Sequence, residues 1–414
     1  MDLTEEIRRL VELEGRGPGT NAERRAARQL EERLRALGRE VEAEPLDTWP
    51  NWALAYTLLI VMAIAGSLLS VSVPVVGVVL VFVAMLLLFL DAGGGLPVAR
   101  RLLGRRASQN LVSGEDGDKA GRLIVVAHYD AGRTGAGFHR RLAEGRASLA
   151  RLLRRKAVGP LHPVMAALAL VLLCCIARLF KMEGLILTVV QFLPTVGLIL
   201  VVPLLIDVAV ARPAPGAGDN ASGVAMALRL AEHYGGSLEH FDLTVLLTGA
   251  QESLADGMRS YLRRHRGELD RSRSVFINLD EVASGTVRYT LREGLLVSAS
   301  SHSQLVDICE EIAEDDEEGD GGFGARGMVS RAPSDGAAAR GRGYPAITIS
   351  CRNDRDYAPE HHQPSDTPER VDPEALERAY GFCSQLIERL DASIGPDLEL
   401  DRDHTMLTED EAAA

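Results

Sequence analysis

Residues Leu123-Ile124-Val125-Val126-Ala127-His128-Tyr129-Asp130 place five apolar residues in a row before a histidine and an aspartate. A short, unbroken apolar run reads as a strand buried on both faces, the kind found in parallel sheets covered by helices. Open α/β sheets gather their ligand-binding groups beyond the carboxyl ends of such strands, which is where His128 and Asp130 fall. Asp130 is placed to orient the imidazole ring of a metal-ligating histidine. A single strand-end histidine is more often structural, so its meaning depends on what the rest of the chain brings to the same edge.

Working outward, the same alternation continues downstream. Strands are expected at 242–248, 274–280, 286–290 and 345–350, and helices at 222–234, 254–265, 302–313 and 373–391. Upstream, helix-spaced apolar residues over 5–13 and 22–37 flank Gly15, Gly17, Pro18 and Gly19, and a short strand begins at Val41. The fold class expected is α/β, a mixed, mostly parallel sheet sandwiched by helices. Residues 314–327, acidic and then glycine-rich, read as a mobile loop, and 395–414 as a polar tail.

Two apolar blocks interrupt this pattern. Trp52–Leu90 holds no charged residue and is long enough to cross a hydrocarbon core of about 30 Å twice, with a break near Gly66 to Pro74. A second block runs over 163–177 and 184–206, parted by Arg178, Lys181 and Glu183. We read each as a transmembrane hairpin, about four inserted helices in all; the bland alternative is a pair of very apolar core helices. The chain then divides into 1–47, 96–138 and 211–394 as parts of one water-facing domain. Hairpins occupy 48–95 and 161–210, and a basic juxtamembrane helix occupies 139–160. That helix lies on an anionic lipid surface or is simply a solvated connector. Residues 1–47 contain no apolar stretch that would act as a cleavable signal.

Because each block crosses twice, the remaining segments share one side of the membrane. That side carries Arg100, Arg101, Arg105, Arg106, Arg140, Arg141, Arg146, Arg151, Arg154, Arg155 and Lys156, against Arg178 and Lys181 opposite, which predicts a cytoplasmic domain. The net charge of −13 argues against nonspecific nucleic-acid binding. The five cysteines have no spacing that suggests a disulfide framework.

Further carboxylates recur at strand ends. Asp219 stands in Gly218-Asp219-Asn220-Ala221-Ser222-Gly223 before a helix, where a plain helix cap is the competing explanation. Glu252 follows the strand ending in Thr248, Asp280 ends the next strand, and His362 lies in a loop before the last helix. Two imidazoles and three carboxylates make a nitrogen and oxygen donor set suited to zinc, with one carboxylate able to bridge two ions. Two such ions polarise a carbonyl and generate a hydroxide nucleophile.

These segments resemble the di-zinc aminopeptidase and carboxypeptidase family, metallopeptidase family 28. The resemblance rests on His128-Tyr129-Asp130, Asp219-Asn220-Ala221-Ser222-Gly223, Gly249-Ala250-Gln251-Glu252, Asn278-Leu279-Asp280, Ser334-Asp335 and His361-His362-Gln363-Pro364-Ser365-Asp366-Thr367, in that order. It implies one zinc held by His128, Asp219 and Asp280, and a second by Asp219, Glu252 and His362, with Asp219 bridging. It also implies a membrane-anchored exopeptidase that hydrolyses peptide or aminoacyl amide bonds with a metal-bound hydroxide. Where the family has its general-base glutamate, this chain has Gln251, and an amide has no usable protonation equilibrium. Glu281 is a possible substitute base. Gly336 stands where the family often has a histidine after the Ser-Asp element. The competing expectations are a catalytically silent, metal-binding membrane scaffold and, because fold does not fix function, a cyclase-type activity.

Overall fold

The computed structural model describes residues 1–115, 117–152, 159–318 and 322–394. In chain order its strands are β1 (Glu42–Thr48), β2 (Arg106–Ser113), β3 (Gly121–His128), β4 (Phe241–Thr248), β5 (Ser274–Leu279), β6 (Thr286–Glu293), β7 (Ala299–Ser300), β8 (Arg326–Ser330) and β9 (Ala346–Arg352). They form one sheet in the order β1-β2-β4-β3-β5-β9-β6-β7, with β8 alongside β6. The centre, β4-β3-β5-β9, is parallel, while β1, β2 and β6 join it antiparallel.

The apolar run in β3 explains the layering. Side chains alternate across a strand, so Leu123, Val125 and Ala127 enter one core and Ile124 and Val126 another. The first core is closed by the helices α1 (Leu3–Val11), α2 (Asn21–Ala36) and, near the C-terminus, Pro373–Arg389, together with Ser222–Tyr234. The second is closed by Asp256–Arg264 and the short helix Asp335–Arg340. All five residues Leu123–Ala127 are completely buried, as a strand covered on both faces requires.

Four further helices are long and apolar enough to cross a membrane: α3 (Trp52–Leu69), α4 (Pro74–Gly94), Leu161–Leu179 and Leu185–Val210. Pro74 opens α4 and forces the turn after Leu69. α3 and α4 approach closely. A Cβ on Gly66 would lie 2.8 Å from Leu80, and one on Gly77 would lie 2.4 Å from Ser70, so both glycines are needed for this contact. Leu58, Leu68, Phe89, Leu173, Ile186, Phe192, Leu193 and Leu200 point outward, an apolar surface that lipid would cover.

Some local expectations change. Arg100, one of the basic residues counted on the domain side, is fully buried; it bonds to Asp91 and Asp256 and to the carbonyl oxygens of Trp49 and Ser253. Desolvating a guanidinium is tolerated only with such full pairing. Arg178 is likewise buried, donating to Gln191 at 2.7 Å and Thr188 at 3.1 Å in the turn of the second hairpin. The acidic part of 314–327 continues the helix Ser303–Glu318, where Arg389 pairs with Asp315, and Arg326 already belongs to β8. Residues 153–158 of the basic segment and the tail 395–414 lie outside the described residues.

Candidate metal centre

Three neighbouring strands, β4, β3 and β5, end at the same edge and deliver Glu252, His128 and Asp280 there. Two loops complete the group. One is the turn 217–221, which brings Asp219 through a cis Asp219–Asn220 peptide, and the other carries His361 and His362. Asp366 holds the first turn in place, its carboxylate accepting from the N–H of Gly218 at 2.7 Å and of Asp219 at 3.0 Å.

Asp219 stands at the centre. Its Oδ1 lies 3.3 Å from His128 Nε2, and its Oδ2 lies 3.3 Å from His362 Nε2. Asp280 sits 3.6 Å from His128 Nε2, and Glu252 sits 3.0 Å from His362 Nε2. One carboxylate thus faces two imidazoles with different oxygens, and each imidazole has a second carboxylate of its own. His128, Asp219 and Glu252 offer donor atoms within 4.8 Å of one another. Asp219 Oδ2 has no hydrogen bond of good geometry although two imidazole nitrogens lie beside it. Buried oxygens left in that state fit a cation better than a proton. The residues present therefore suit a zinc-type cation.

Asp130 is fully buried and does not reach the open space. Its Oδ1 accepts from the N–H of Gln251 at 3.1 Å and its Oδ2 from that of Glu252 at 3.0 Å, while the His128 Nδ1 lies 3.5 Å away. Its carboxylate thus fixes the loop that carries a carboxylate donor, while His128 Nδ1 hydrogen-bonds to the backbone carbonyl of Asp130 at 3.1 Å. Gln251 points its amide at the carbonyl oxygen of Pro333, at 2.5 Å. Glu281 pairs with Arg352 at 2.8 Å and with His361 at 2.9 Å.

Three groups lacked an assigned role in the sequence. His361 stacks on His362 with centroids 4.0 Å apart and lies 3.1 Å from Asp219; the left-handed backbone of His362 lets both neighbouring rings face inward. Asp335 is buried and accepts from Thr248 at 2.5 Å. Gly132 is required by space, since a Cβ there would fall 2.1 Å from His362 Nε2. Only the paired histidines and the Ser-Asp element gave any sequence signal.

Charge is crowded here. Burial would lower the imidazole pKa of His362, yet Glu252 outweighs it and, with Asp219 adding to the effect against the neighbouring His361, raises it to about 9. Burial pushes the carboxyls of Asp335 and Asp366 up to about 7. Burial would also raise Glu281, but Arg352 and His361 outweigh it and hold the carboxyl below its usual range.

The profile of peptidase family M28 matches residues 204–387. Similar solved structures include a leucine aminopeptidase precursor from Bacteroides thetaiotaomicron VPI-5482, at 14% identity and TM-score 0.52, covering 93% of this chain and 95% of that one. A Zn-dependent exopeptidase from Parabacteroides distasonis ATCC 8503 aligns at 14% identity and TM-score 0.51, over 94% and 97% of the two chains. A Bacteroides thetaiotaomicron glutaminyl cyclase bound to N-acetylhistamine aligns at 14% identity and TM-score 0.53, over 93% and 96%. These likenesses establish the fold. No curated protein matches the chain.

Proposed function

From the match of residues 204–387 to peptidase family M28, we propose that the chain is a membrane-anchored, zinc-dependent exopeptidase acting on peptide or aminoacyl amide bonds. The observation that carries this reading is the division of Asp219 between His128 and His362, each with its own further carboxylate. Zinc held by His128, Asp219 and Asp280, and by Asp219, Glu252 and His362, would supply carbonyl polarisation and a more acidic water.

The chain's own residues do the rest. Asp130 and Asp366 fix the backbone that presents Glu252 and Asp219. Gln251 can accept a hydrogen bond from water but cannot take its proton. Losing a general base of this kind costs about 10²–10⁴-fold in rate. Glu281 is a poor replacement, because Arg352 and His361 hold it ionised and so make it a weak base. The native enzyme is therefore slow, and a second reading keeps its place. Gln251 is committed to the Pro333 carbonyl, which fits a silent metal-binding scaffold.

The deciding experiment measures metal content and hydrolysis of aminoacyl reporters by the detergent-purified full chain and by Gln251→Glu. About two zinc ions per chain, slow native turnover and a variant faster by about 10²-fold are expected. Turnover in the variant alone would leave the scaffold, and failure to bind zinc would sink the site. We further assign the domain to the cytoplasmic face, supported by exposed Arg101, Arg105, Arg106, Arg140 and Arg141 on its side of the hairpins.

A further inference from the structure

The metal-ligating loops are built onto the ends of the apolar helices. Phe138 packs edge-on against His362 with ring centroids 4.2 Å apart, and against His361 at 5.8 Å. The same ring packs on the cluster of Ala53, Val208 and Ala209, at the domain-side ends of α3 and of Leu185–Val210. The segment before it is tied down too. Ala136 N–H donates to Asp207 at 2.6 Å, Arg133 donates to the Ala211 carbonyl, and Thr134 N–H donates to that of Arg212. On the other side of the site Leu254, two residues beyond Glu252, is buried in the hydrophobic cluster that the apolar helices form.

Of the groups in the site, the His361 side chain is the most accessible, at 40% exposure, and Phe138 flanks it. Directly after Phe138 the helix Arg140–Leu152 begins with exposed Arg140, Arg141 and Leu142, and Glu144 accepts from Tyr357 of the loop that leads to His361. The most exposed group of the site thus lies beside an aromatic ring packed on the apolar helices, and a basic helix with exposed Leu142 follows close behind that ring. A short, fully hydrated dipeptide would gain nothing from such surroundings, whereas a long apolar chain would.

Resting on the hydrolytic reading above, we propose that the substrate is an amphiphile: an amino acid joined through an amide to a long-chain amine that lies in the bilayer. Water adds across the C–N bond, giving an amino-acid carboxylate that leaves into water and a long-chain amine that stays in the lipid.

The test uses the zinc-loaded full chain in phosphatidylcholine vesicles containing phosphatidylglycerol. Alanyl dodecylamide and alanyl methylamide are compared by mass spectrometry of released alanine, for native protein and Phe138→Ala. Partitioning into the vesicle favours the long chain equally for both proteins, so the quantity read is the change in the dodecyl-to-methyl ratio of kcat/KM. We expect that ratio to fall about tenfold in Phe138→Ala, the scale of one aromatic contact. Binding of a dansyl-labelled dodecylamide is read in parallel by fluorescence. An unchanged ratio, with both amides cleaved, would overturn the amphiphile and leave the peptidase. No cleavage, but dodecylamide binding that Phe138→Ala weakens, would overturn the peptidase and leave the amphiphile site. Equal binding in both proteins without cleavage would overturn the amphiphile as well.

Discussion

Position 132 has room only for hydrogen, because His362 Nε2 occupies the space a Cβ would need. Gly132→Ala must push that imidazole away from Glu252 and Asp219, and we expect the variant to fold but bind about one zinc ion fewer per chain, read by metal analysis. Asp219→Ala removes the shared carboxylate and should lose both ions with all activity. Glu23 offers a test one layer behind the donors. It is buried, accepts from Ser108, Ala250 and Gly19, and burial followed by nearby Asp130 pushes its carboxyl up to about 8. With a folded pKa above the unfolded one, the native state binds more protons between these values, so stability falls as pH rises from about 4.5 towards 8. Glu23→Gln should flatten that slope in thermal melts across the window. The five candidate donors drew attention in the sequence by their places at strand ends, before a helix or in the loop before the last helix, and the structure brings them side by side. Asp366, Arg352 and Gly132 could not, since their roles come from contacts across the fold that no spacing encodes.

At the scale of elements, buried strands were the easiest to read. β3, β4 and β5 are near-continuous apolar runs, and the hairpins announce themselves by length. β2 was not expected, because Arg106-Ala107-Ser108-Gln109-Asn110 is too polar to look like a strand. It is held instead by a seven-residue register with β1 and by Ser108 and Asn110, whose side chains bond to Glu23 and Gly257. The buried pairing of Arg100 is illegible in the sequence for a related reason, as nothing local reveals that Asp91 and Asp256 converge on it. Removing it leaves two buried carboxylates unpaired, so Arg100→Met should destabilise the protein by about 3–5 kcal/mol in thermal unfolding in detergent. Because Arg100 also bonds to the Ser253 carbonyl, the variant should lose zinc at the Glu252 side first.

For the whole molecule, the orientation of the domain can be checked by labelling. Met182→Cys in the turn of the second hairpin should react with a membrane-impermeant maleimide from outside intact cells, and Arg140→Cys should not. The native cysteines are all free and buried and should stay silent. The opposite pattern would place the metal-ligating residues on the outer face.

β3 and β4 lie side by side and parallel, yet the chain between them runs through the second apolar hairpin. On the membrane-anchored reading, the apolar β3 must wait without that neighbour during synthesis until residues 161–210 have been inserted and β4 has emerged. A nascent chain stalled at this step exposes a bare sheet edge beside Leu123–Ala127, a strong invitation to aggregate. The membrane-anchored reading thus predicts that maturation of the domain is timed by insertion, and cells short of insertase should accumulate it in inclusion bodies rather than as a free, folded domain.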